Sequence, residues 1–269
     1  MLTRRSFADR FGRQPLIGMV HLRALPGAPL FAGAIGDVVE AALADARAIE
    51  SGGGAALMFE NFGDRPFVRD RVEAVTVAAM ARVIAEVVRE VRLPFGVNVL
   101  RNDAASALAI AAATGASFIR VNVHTGAMLT DQGIIEGRAA ETLRLRASLA
   151  PGVAIFADHL VKHAVPLAAL DPVQSAKDLR LRGLADALIV TGAETGAAPD
   201  AGKLQLLREA VDAPLLVGSG LSAANAEAFA DADGAIVGTA IKRDADVDQP
   251  VSVERLREIA ARFRAPGGR

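Results

Sequence analysis

Short apolar runs alternate with amphipathic stretches along almost the whole chain of 269 residues. An apolar run with few charges is typical of a strand buried on both faces, and an apolar stripe at helical spacing is typical of the helix that covers it. The runs recur about every 30 residues, which is the spacing of a strand-helix unit. Eight strands are predicted, at Leu16–His21, Ala55–Glu60, Pro94–Leu100, Ser117–His124, Gly152–Asp158, Asp186–Thr191, and at the start of the stretches Pro214–Ser222 and Asp233–Thr239.

Strands that are each followed by a helix pair in parallel through right-handed crossovers. We therefore predict an α/β fold with a single (β/α)8 TIM barrel over residues 1–269, including an N-terminal extension at 1–14 and a frayed tail at 265–269. A doubly wound open sheet is the structural alternative. That fold places its phosphate loop after the first strand, where this chain has Met19-Val-His-Leu22, so the closed barrel is favoured.

Capping residues indicate where several helices begin. Asp37 with Glu40 resembles a capping box after strand one. Asn102–Asp103 can cap the helix after strand three, and Asp171–Pro172 suits the first two positions of the helix after strand five. Ser222 can cap a helix after strand seven. These signals predict where the chain leaves each strand-end loop and enters the outer layer.

The last two strands both end in glycine followed by a hydroxyl residue. Glycine lets the backbone approach an anion closely, and the turns after strands seven and eight of this type of barrel commonly bind phosphate. Plain tight turns are the alternative interpretation. The predicted phosphate-binding residues are Gly218, Ser219 and Gly220 after strand seven, Gly238 and Thr239 after strand eight, and Gly192 after strand six.

Polar residues collect at or just after the carboxyl ends of the predicted strands, where this fold carries its active sites. All four histidines of the chain lie there. The connection Thr125–Gly137 after strand four is long, which makes it a candidate lid. The predicted catalytic residues are Glu60, His124, Asp158 and Lys162, and the predicted substrate-binding residues are His21, Asn98, Asn122, His163 and Thr191.

The predicted roles follow from the chemistry of these side chains. Either Asp158 or Glu60 is the base, because burial in the barrel tunes a carboxylate toward neutral pH. His124 is the second proton carrier, and Lys162 is an electrostatic or Schiff-base partner. The segment Asp158–His163 carries four ionisable groups in six residues, which is more than we expect for a segment that is merely exposed to solvent.

Several of these residues have a plainer interpretation. Asn98 and Asn122 alternate with valines and point inward, so they are equally suited to hydrogen bonding inside the barrel. His21 can pack in the barrel without chemistry. Arg120 lies deeper on strand four, where a buried ion pair with Glu60 or Asp158 competes with substrate contact.

Composition narrows the partners. Apolar residues make up 52% of the chain, the net charge is -1, and there is no cysteine, tryptophan or tyrosine. The charge and the missing stacking residues argue against a nucleic-acid partner, and no apolar stretch is long enough to span a membrane. The lack of cysteine and of a secretion signal is compatible with a cytoplasmic protein, and we expect a homo-oligomer.

Several motifs together resemble the BtpA/SgcQ family. The resemblance implies a barrel of the ribulose-phosphate-binding kind, and it extends from about Pro15 to Arg243. One family member is linked to photosystem I biogenesis and another is labelled a nucleosidase or sugar-operon protein, so the resemblance brings no settled reaction. The stretches that carry it are Leu16–Pro29, Phe59–Asp64, Gly96–Asn102, Arg120–Gly126, Lys162–Ala164 and Thr191–Gly196.

Three functions from different classes fit the sequence. The first is an enzyme that acts on a phosphorylated sugar or nucleoside-type small molecule by lyase, isomerase or nucleosidase chemistry. The second is a hydrolase that uses a divalent metal, with Glu60, Asp158 and histidines as ligands, although we predict no cofactor. The third is a non-catalytic biogenesis factor for a photosystem or membrane complex, which would need an exposed apolar patch that the sequence does not reveal.

Overall fold

The computed structural model describes residues 1–192 and 200–264. Eight parallel strands close into a barrel, in the spatial order β1-β11-β10-β9-β7-β4-β3-β2. The predicted (β/α)8 fold is therefore confirmed. In chain order the strands are β1 (Leu16–His21), β2 (Ala56–Glu60), β3 (Phe95–Asn98), β4 (Phe118–Val121), β5 (Ala127–Thr130), β6 (Gly133–Glu136), β7 (Ala154–His159), β8 (Ala164–Pro166), β9 (Ala187–Val190), β10 (Leu215–Val217) and β11 (Gly234–Val237).

Helices cover the outside of the barrel. Within the two described ranges, none is long and apolar enough to cross a membrane. The helix α6 continues into a π-helical turn at Asp178–Arg182. The helices are α1 (Arg4–Phe11), α2 (Ile35–Ser51), α3 (Ala74–Val87), α4 (Ala104–Thr114), α5 (Ala139–Leu149), α6 (Pro172–Lys177), α7 (Ala201–Ala210) and α8 (Val253–Phe263).

Two of the predicted helix starts are confirmed. Asp103 is the N-cap of α4 and accepts a hydrogen bond from the Ser106 amide at 2.9 Å. Asp171 caps α6 in the same way, with Pro172 in the first turn. The carboxylate satisfies an amide that has no partner inside the helix, which explains why the sequence signal was reliable.

The other two predicted starts are wrong. The helix α2 begins at Ile35, so Asp37 lies in its first turn and accepts a hydrogen bond from the Ala34 amide at 2.9 Å. After β10 the described chain forms only a 3-10 turn at Ala226–Phe229 instead of an α-helix. Ser222 does not cap it, since Asn225 is at the N-cap position, and the Ser222 amide donates to Asn225 Oδ1 at 2.8 Å.

The interior of the barrel below its carboxyl end is filled with apolar side chains. Phe118 and Phe156 stack there with ring centroids 4.5 Å apart. The predicted N-terminal extension contains α1, which closes the amino end of the barrel. The ring centroid of its Phe7 lies 5.9 Å from that of Phe156, and the ring centroid of its Phe11 lies 5.6 Å from that of Phe118. This dry packing leaves the carboxyl end as the part of the interior where polar groups meet.

The predicted lid is a β-hairpin. The strands β5 and β6 pair antiparallel, and β8 pairs with the other edge of β5. One face of this sheet buries Met128 and Ile135. The opposite face exposes a row of Leu129, Ile134 and Val165, which are 52%, 47% and 65% exposed. The sequence analysis missed this exposed apolar row.

Candidate active site at the carboxyl end of the barrel

Six polar side chains from neighbouring strands point into the carboxyl end of the barrel, which we term the barrel mouth. Alternate residues of a strand face opposite sides. A polar residue two positions after an apolar residue of the barrel interior therefore also faces inward. Five of the residues are at most 6% exposed, and the sixth, His21, has a side chain that is 10% exposed. The structure brings these predicted residues together in one group, the mouth cluster, formed by His21, Glu60, Asn98, Arg120, Asn122 and Asp158.

An ion pair anchors one side of the mouth cluster. Arg120 donates from Nε and Nη2 to the two carboxylate oxygens of Asp158, at 3.1 and 3.0 Å. Asn122 Nδ2 donates to Asp158 Oδ2 at 2.8 Å. Two-point contact of this kind fixes both partners. Asp158 therefore holds Arg120 and Asn122 in place, as in the ion-pair interpretation of the sequence.

Asn98 links this ion pair to Glu60, and its amide has two useful orientations. With Nδ2 toward Asn122, it donates to Asn122 Oδ1 at 3.2 Å, and its own oxygen lies 2.8 Å from Glu60 Oε1. Two oxygens at that distance need a proton between them, so this orientation requires a neutral Glu60. Turned over, the amide donates to Glu60 at 2.8 Å and accepts from the Val99 amide, but its oxygen then faces Asn122 Oδ1 at 3.2 Å.

The Asn98 orientation is therefore coupled to the proton on Glu60. Asn122 cannot relieve the contact between oxygens by turning, because its Nδ2 is bound to Asp158. Burial raises the pKa of Glu60 above its ordinary value, while the positive charges of Arg120 and Lys162 oppose that rise. Burial and the hydrogen-bond chain thus both favour the neutral acid.

His21 lies beside Glu60 as a neutral imidazole. Its Nε2 is 3.9 Å from Glu60 Oε2, and its ring packs on Phe62 with centroids 4.8 Å apart. Burial, followed by the charge of Lys242, lowers the pKa of His21 to about 3. Its buried Nδ1 has no hydrogen-bond partner among the described residues. The described residues therefore leave one buried ring nitrogen of His21 without a partner.

Two further cations approach the mouth cluster from the loops after β3 and β7. Arg101 is 7% exposed, and its Nη2 donates to the Lys162 carbonyl at 2.9 Å. Burial lowers the pKa of Lys162, and Glu60 and Asp158 lie close enough to oppose the shift. Sequence analysis missed Arg101, although it directly follows a predicted strand end, because we gave weight to histidines and carboxylates there.

The remaining predicted side chains lie away from the centre of the cluster. His124 is buried and its Nε2 donates to the Gly183 carbonyl at 2.8 Å, which directs the ring to the outer layer. His163 is exposed and adopts a left-handed backbone conformation with φ of 55°. Thr191 donates to the Leu160 carbonyl at 3.2 Å. The structure does not bring His124 together with Glu60.

Glycines occupy the inward positions on the opposite side of the mouth. A Cβ atom at Gly238 would lie 3.0 Å from His21 Cε1, and one at Gly218 would lie 2.2 Å from Ile189 Cγ2. Gly220 has φ of 78°, a conformation that favours glycine. We name the turns that follow β10 and β11 the glycine arc, which comprises Gly218, Ser219, Gly220, Gly238 and Thr239.

The glycine arc presents backbone donors without protein acceptors. Within the described part of the chain, the amides of Ser219, Gly220 and Gly238 donate no hydrogen bond. The residues are half-buried and directly follow β10 and β11, at the end of the barrel where the mouth lies. In the order of the barrel strands, β10 is diametrically opposite β3, and β11 is opposite β4. The glycine arc therefore faces the side of the mouth that carries Asn98, Arg101 and Arg120.

Side-chain hydrogen bonds hold the loops around the mouth in place. Asn61 Oδ1 accepts from the Leu100 amide at 2.7 Å, which joins the ends of β2 and β3. Asn102 both donates to and accepts from the backbone of Val123, at 2.9 and 2.8 Å, which joins the ends of β3 and β4. Sequence analysis assigned neither residue this role, although both are amides in the loops that follow β2 and β3.

The alternative of a metal-dependent hydrolase would need clustered ligands for a divalent metal. Within residues 1–192 and 200–264, no group of three or more histidine, aspartate or glutamate side chains is arranged to hold a metal ion. Glu60 and Asp158 are separated by the two amides of Asn98 and Asn122. Part of the Thr191–Gly196 motif, together with the tail at 265–269, lies outside the described residues.

Comparison with other sequences shows extensive similarity. Residues 12–265 match the model of the BtpA family. The chain is 51% identical over 251 residues to an uncharacterized protein of Thermococcus kodakarensis, covering 93% of this chain and 95% of that protein. It is 43% identical over 244 residues to the photosystem I biogenesis protein BtpA of Synechocystis sp., covering 90% and 85%. The putative sgc region protein SgcQ of Escherichia coli is 37% identical over 234 residues, covering 85% and 86%.

Solved structures share the fold at low sequence identity. The thiamine phosphate pyrophosphorylase of Pyrococcus furiosus superposes with a TM-score of 0.57 at 14% identity, covering 95% of this chain and 97% of that one. The N-(5'-phosphoribosyl)anthranilate isomerase of the same organism gives 0.57 at 13% identity, covering 94% and 100%. At these identities the likeness concerns the fold alone.

Proposed function

The chain belongs to the BtpA family, and on that premise we propose that it is an enzyme that performs proton-transfer chemistry on a phosphorylated sugar or nucleoside-type small molecule. The observation that carries the proposal is the pairing of two features across one barrel mouth. The glycine arc offers amides without acceptors, and the strands β1 and β2 next to it offer a buried carboxyl group beside a neutral imidazole. The reaction is an isomerisation, a lyase cleavage or an N-glycosidic cleavage.

The glycine arc suits a phosphate group. Several amides aimed at one point bind an anion through charge-assisted hydrogen bonds, and the missing Cβ atoms let the anion approach the backbone. The hydroxyls of Ser219 and Thr239 add two donors at the same turns. Two structural neighbours, a thiamine phosphate pyrophosphorylase and a phosphoribosylanthranilate isomerase, have phosphorylated compounds in their names. These points together support a phosphorylated substrate.

The mouth cluster suits proton transfer. A neutral Glu60 can give a proton to a developing oxyanion or leaving group, and its ionised form can take one back. His21 remains neutral, so it polarises a carbonyl or hydroxyl by hydrogen bonding rather than by carrying a charge. Asn98 follows the protonation state of Glu60 by turning its amide. Asp158 keeps its anchoring place beside Arg120.

Binding of inorganic phosphate and ribose 5-phosphate tests the phosphate site. Both probes should raise the melting temperature of the protein in proportion to the logarithm of their concentration, because they bind the folded state alone. In the variant Ser219→Asp, a carboxylate replaces a donor at the glycine arc. Two unit charges about 4 Å apart at an effective dielectric constant of about 20 repel by roughly 4 kcal/mol, so affinity should fall by at least a hundredfold.

The matched control is Ser219→Asn, which has nearly the same shape as aspartate without its charge. It should weaken binding by less than tenfold. Equal losses in the two variants, or no shift with either probe in the wild-type protein, would remove the phosphate site from the proposal. Once a substrate is known, Glu60→Gln should lower kcat with little change in KM, since an amide cannot transfer a proton in this way.

A role in complex assembly is the second candidate function. It is favoured by the name of the Synechocystis relative, a photosystem I biogenesis protein. It is also favoured by the exposed apolar row of Leu129, Ile134 and Val165. Replacing these three residues by serine should leave phosphate binding intact. If those substitutions remove the biological function and Glu60→Gln does not, assembly is the better assignment.

A further inference from the structure

The side of the mouth opposite the glycine arc carries more positive charge than the described carboxylates neutralise. Arg120 and Asp158 compensate each other through their two-point ion pair. This leaves Arg101 and Lys162, the cation pair, facing Glu60. If Glu60 is neutral, neither Arg101 nor Lys162 has an unshared carboxylate partner in the mouth cluster. If Glu60 is ionised, one of the two cations still lacks such a partner.

The cation pair is held where it can meet a ligand. Arg101 is 7% exposed, and its Nη2 bond to the Lys162 carbonyl ties the loop after β3 to the loop after β7. Within the described chain, Lys162 Nζ donates to no protein acceptor. The charges of Asp158 and Glu60 also reach Arg101, and Asp131, on the exposed turn of the hairpin, is a further acidic group whose charge does so. Water screens that exposed charge, so it neutralises Arg101 only weakly.

Burying uncompensated positive charge destabilises a protein unless an anion accompanies it. Burial lowers the pKa of both Arg101 and Lys162, the direction expected for cations that have lost more hydration than their partners return. We therefore expect these two cations to bind an anionic ligand. Because β3 is diametrically opposite β10, this ligand group would lie across the mouth from the glycine arc.

We propose that the substrate carries two anionic groups, a phosphate bound at the glycine arc and a second anion bound by Arg101 and Lys162. This inference rests on the proposed phosphate site and narrows its substrate class. The second anion is a carboxylate or another phosphate, since both present oxygens to a guanidinium and an ammonium group. Between the two ends lie His21, Glu60 and Asn98, so the central carbon atoms of such a molecule would be the reacting ones.

Two matched pairs of probes distinguish the source of the second anion. 3-Phosphoglycerate and glycerol 3-phosphate have similar length and differ by a carboxylate in place of a hydroxymethyl group. Ribulose 1,5-bisphosphate and ribulose 5-phosphate differ by a second phosphate. Isothermal titration of the full chain should show at least tenfold tighter binding of the member with two anions in one of the two pairs. That pair identifies the second anion as carboxylate or phosphate.

Substitutions then separate charge from structure. Lys162→Met keeps the length of the side chain and removes its charge, and it should abolish the preference while leaving the affinity for the singly anionic member within threefold. Lys162→Arg should keep the preference. Arg101→Met provides a second test if Lys162→Met fails to fold. A purely structural role for either residue would weaken both members of a pair equally.

The outcomes distinguish this inference from the function on which it rests. Equal affinity for both members in both pairs would overturn the inference and leave the phosphate site standing. Failure of all four probes and of inorganic phosphate to bind would overturn both. A preference that survives in Lys162→Met and in Arg101→Met would show that other residues bind the second anion, which also contradicts the inference.

Discussion

The buried imidazole of His21 makes a quantitative prediction about acid stability. Its pKa is about 3 in the folded protein against an ordinary value of 6.5. The unfolded chain therefore takes up a proton at this residue as the pH falls below 6.5, while the folded protein stays neutral until about 3. Stability from this residue is fully present above pH 6.5 and is lost progressively between 6.5 and 3.

The perturbation is His21→Gln, which keeps a polar side chain and cannot titrate. One pKa unit corresponds to about 1.4 kcal/mol, so lowering the pH from 7.5 to 5 should cost the wild-type protein about 2 kcal/mol through His21 alone. The variant should escape this loss. Urea unfolding at the two pH values gives the free energy of unfolding for each protein.

The informative quantity is the difference between the two proteins in their pH dependence. Any packing lost in His21→Gln is present at both pH values and cancels. The other histidines with a lowered pKa, His124 and His159, contribute equally to both proteins. If wild type and variant lose the same free energy between pH 7.5 and 5, His21 is not a buried neutral imidazole and its proposed role in the mouth fails with it.

Three further predictions concern other parts of the molecule. Phe7→Ala should destabilise the protein by about 3–5 kcal/mol in urea unfolding, because Phe7 is 1% exposed, whereas the exposed control Arg5→Ala should change stability by less than about 0.5 kcal/mol. Asp45→Asn removes the carboxylate that binds the buried Lys242 and should cost about 3–5 kcal/mol, and a loss below about 1 kcal/mol would show that the pair is dispensable. Borohydride treatment with ribulose 1,5-bisphosphate should leave no adduct on Lys162, since a bound anion favours its ammonium form, and a mass increase mapped to that residue would indicate Schiff-base chemistry instead.

The barrel could be predicted because its strands are simple in sequence. A strand buried on both faces is apolar throughout, and glycine or proline marks its ends, so β1 was predicted with its observed bounds, Leu16–His21. The small sheet was not predictable in the same way. The strands β5 and β6 have four residues each, and β8 has three, so none carries enough alternation to reveal a hairpin.

The location of the mouth cluster could be predicted from the sequence, whereas the roles of its residues were harder to predict. Asn98 and Asn122 could be identified from the sequence because each is a polar residue at an inward-facing position of an apolar strand. The partner of Arg120 was not decided, because sequence does not tell which of two carboxylates on neighbouring strands lies at the matching height. The outward turn of His124 depends on the packing of Gly183, which lies nearly sixty positions later, and no local pattern reports such a contact.

The helix that closes the amino end of the barrel has a consequence for the order of folding. The Leu2 amide donates to Asp186 Oδ1, and the Leu2 carbonyl accepts from Arg180 Nη2. Phe7 and Phe11 pack on residues of β4 and β7. The helix α1 therefore cannot dock until the much later residues Phe118 and Phe156, which form its docking surface, have been synthesised. Contacts of such sequence separation form late, since a long loop must close first. We therefore expect the amino end to be the last part of the barrel to become protected from hydrogen exchange during refolding.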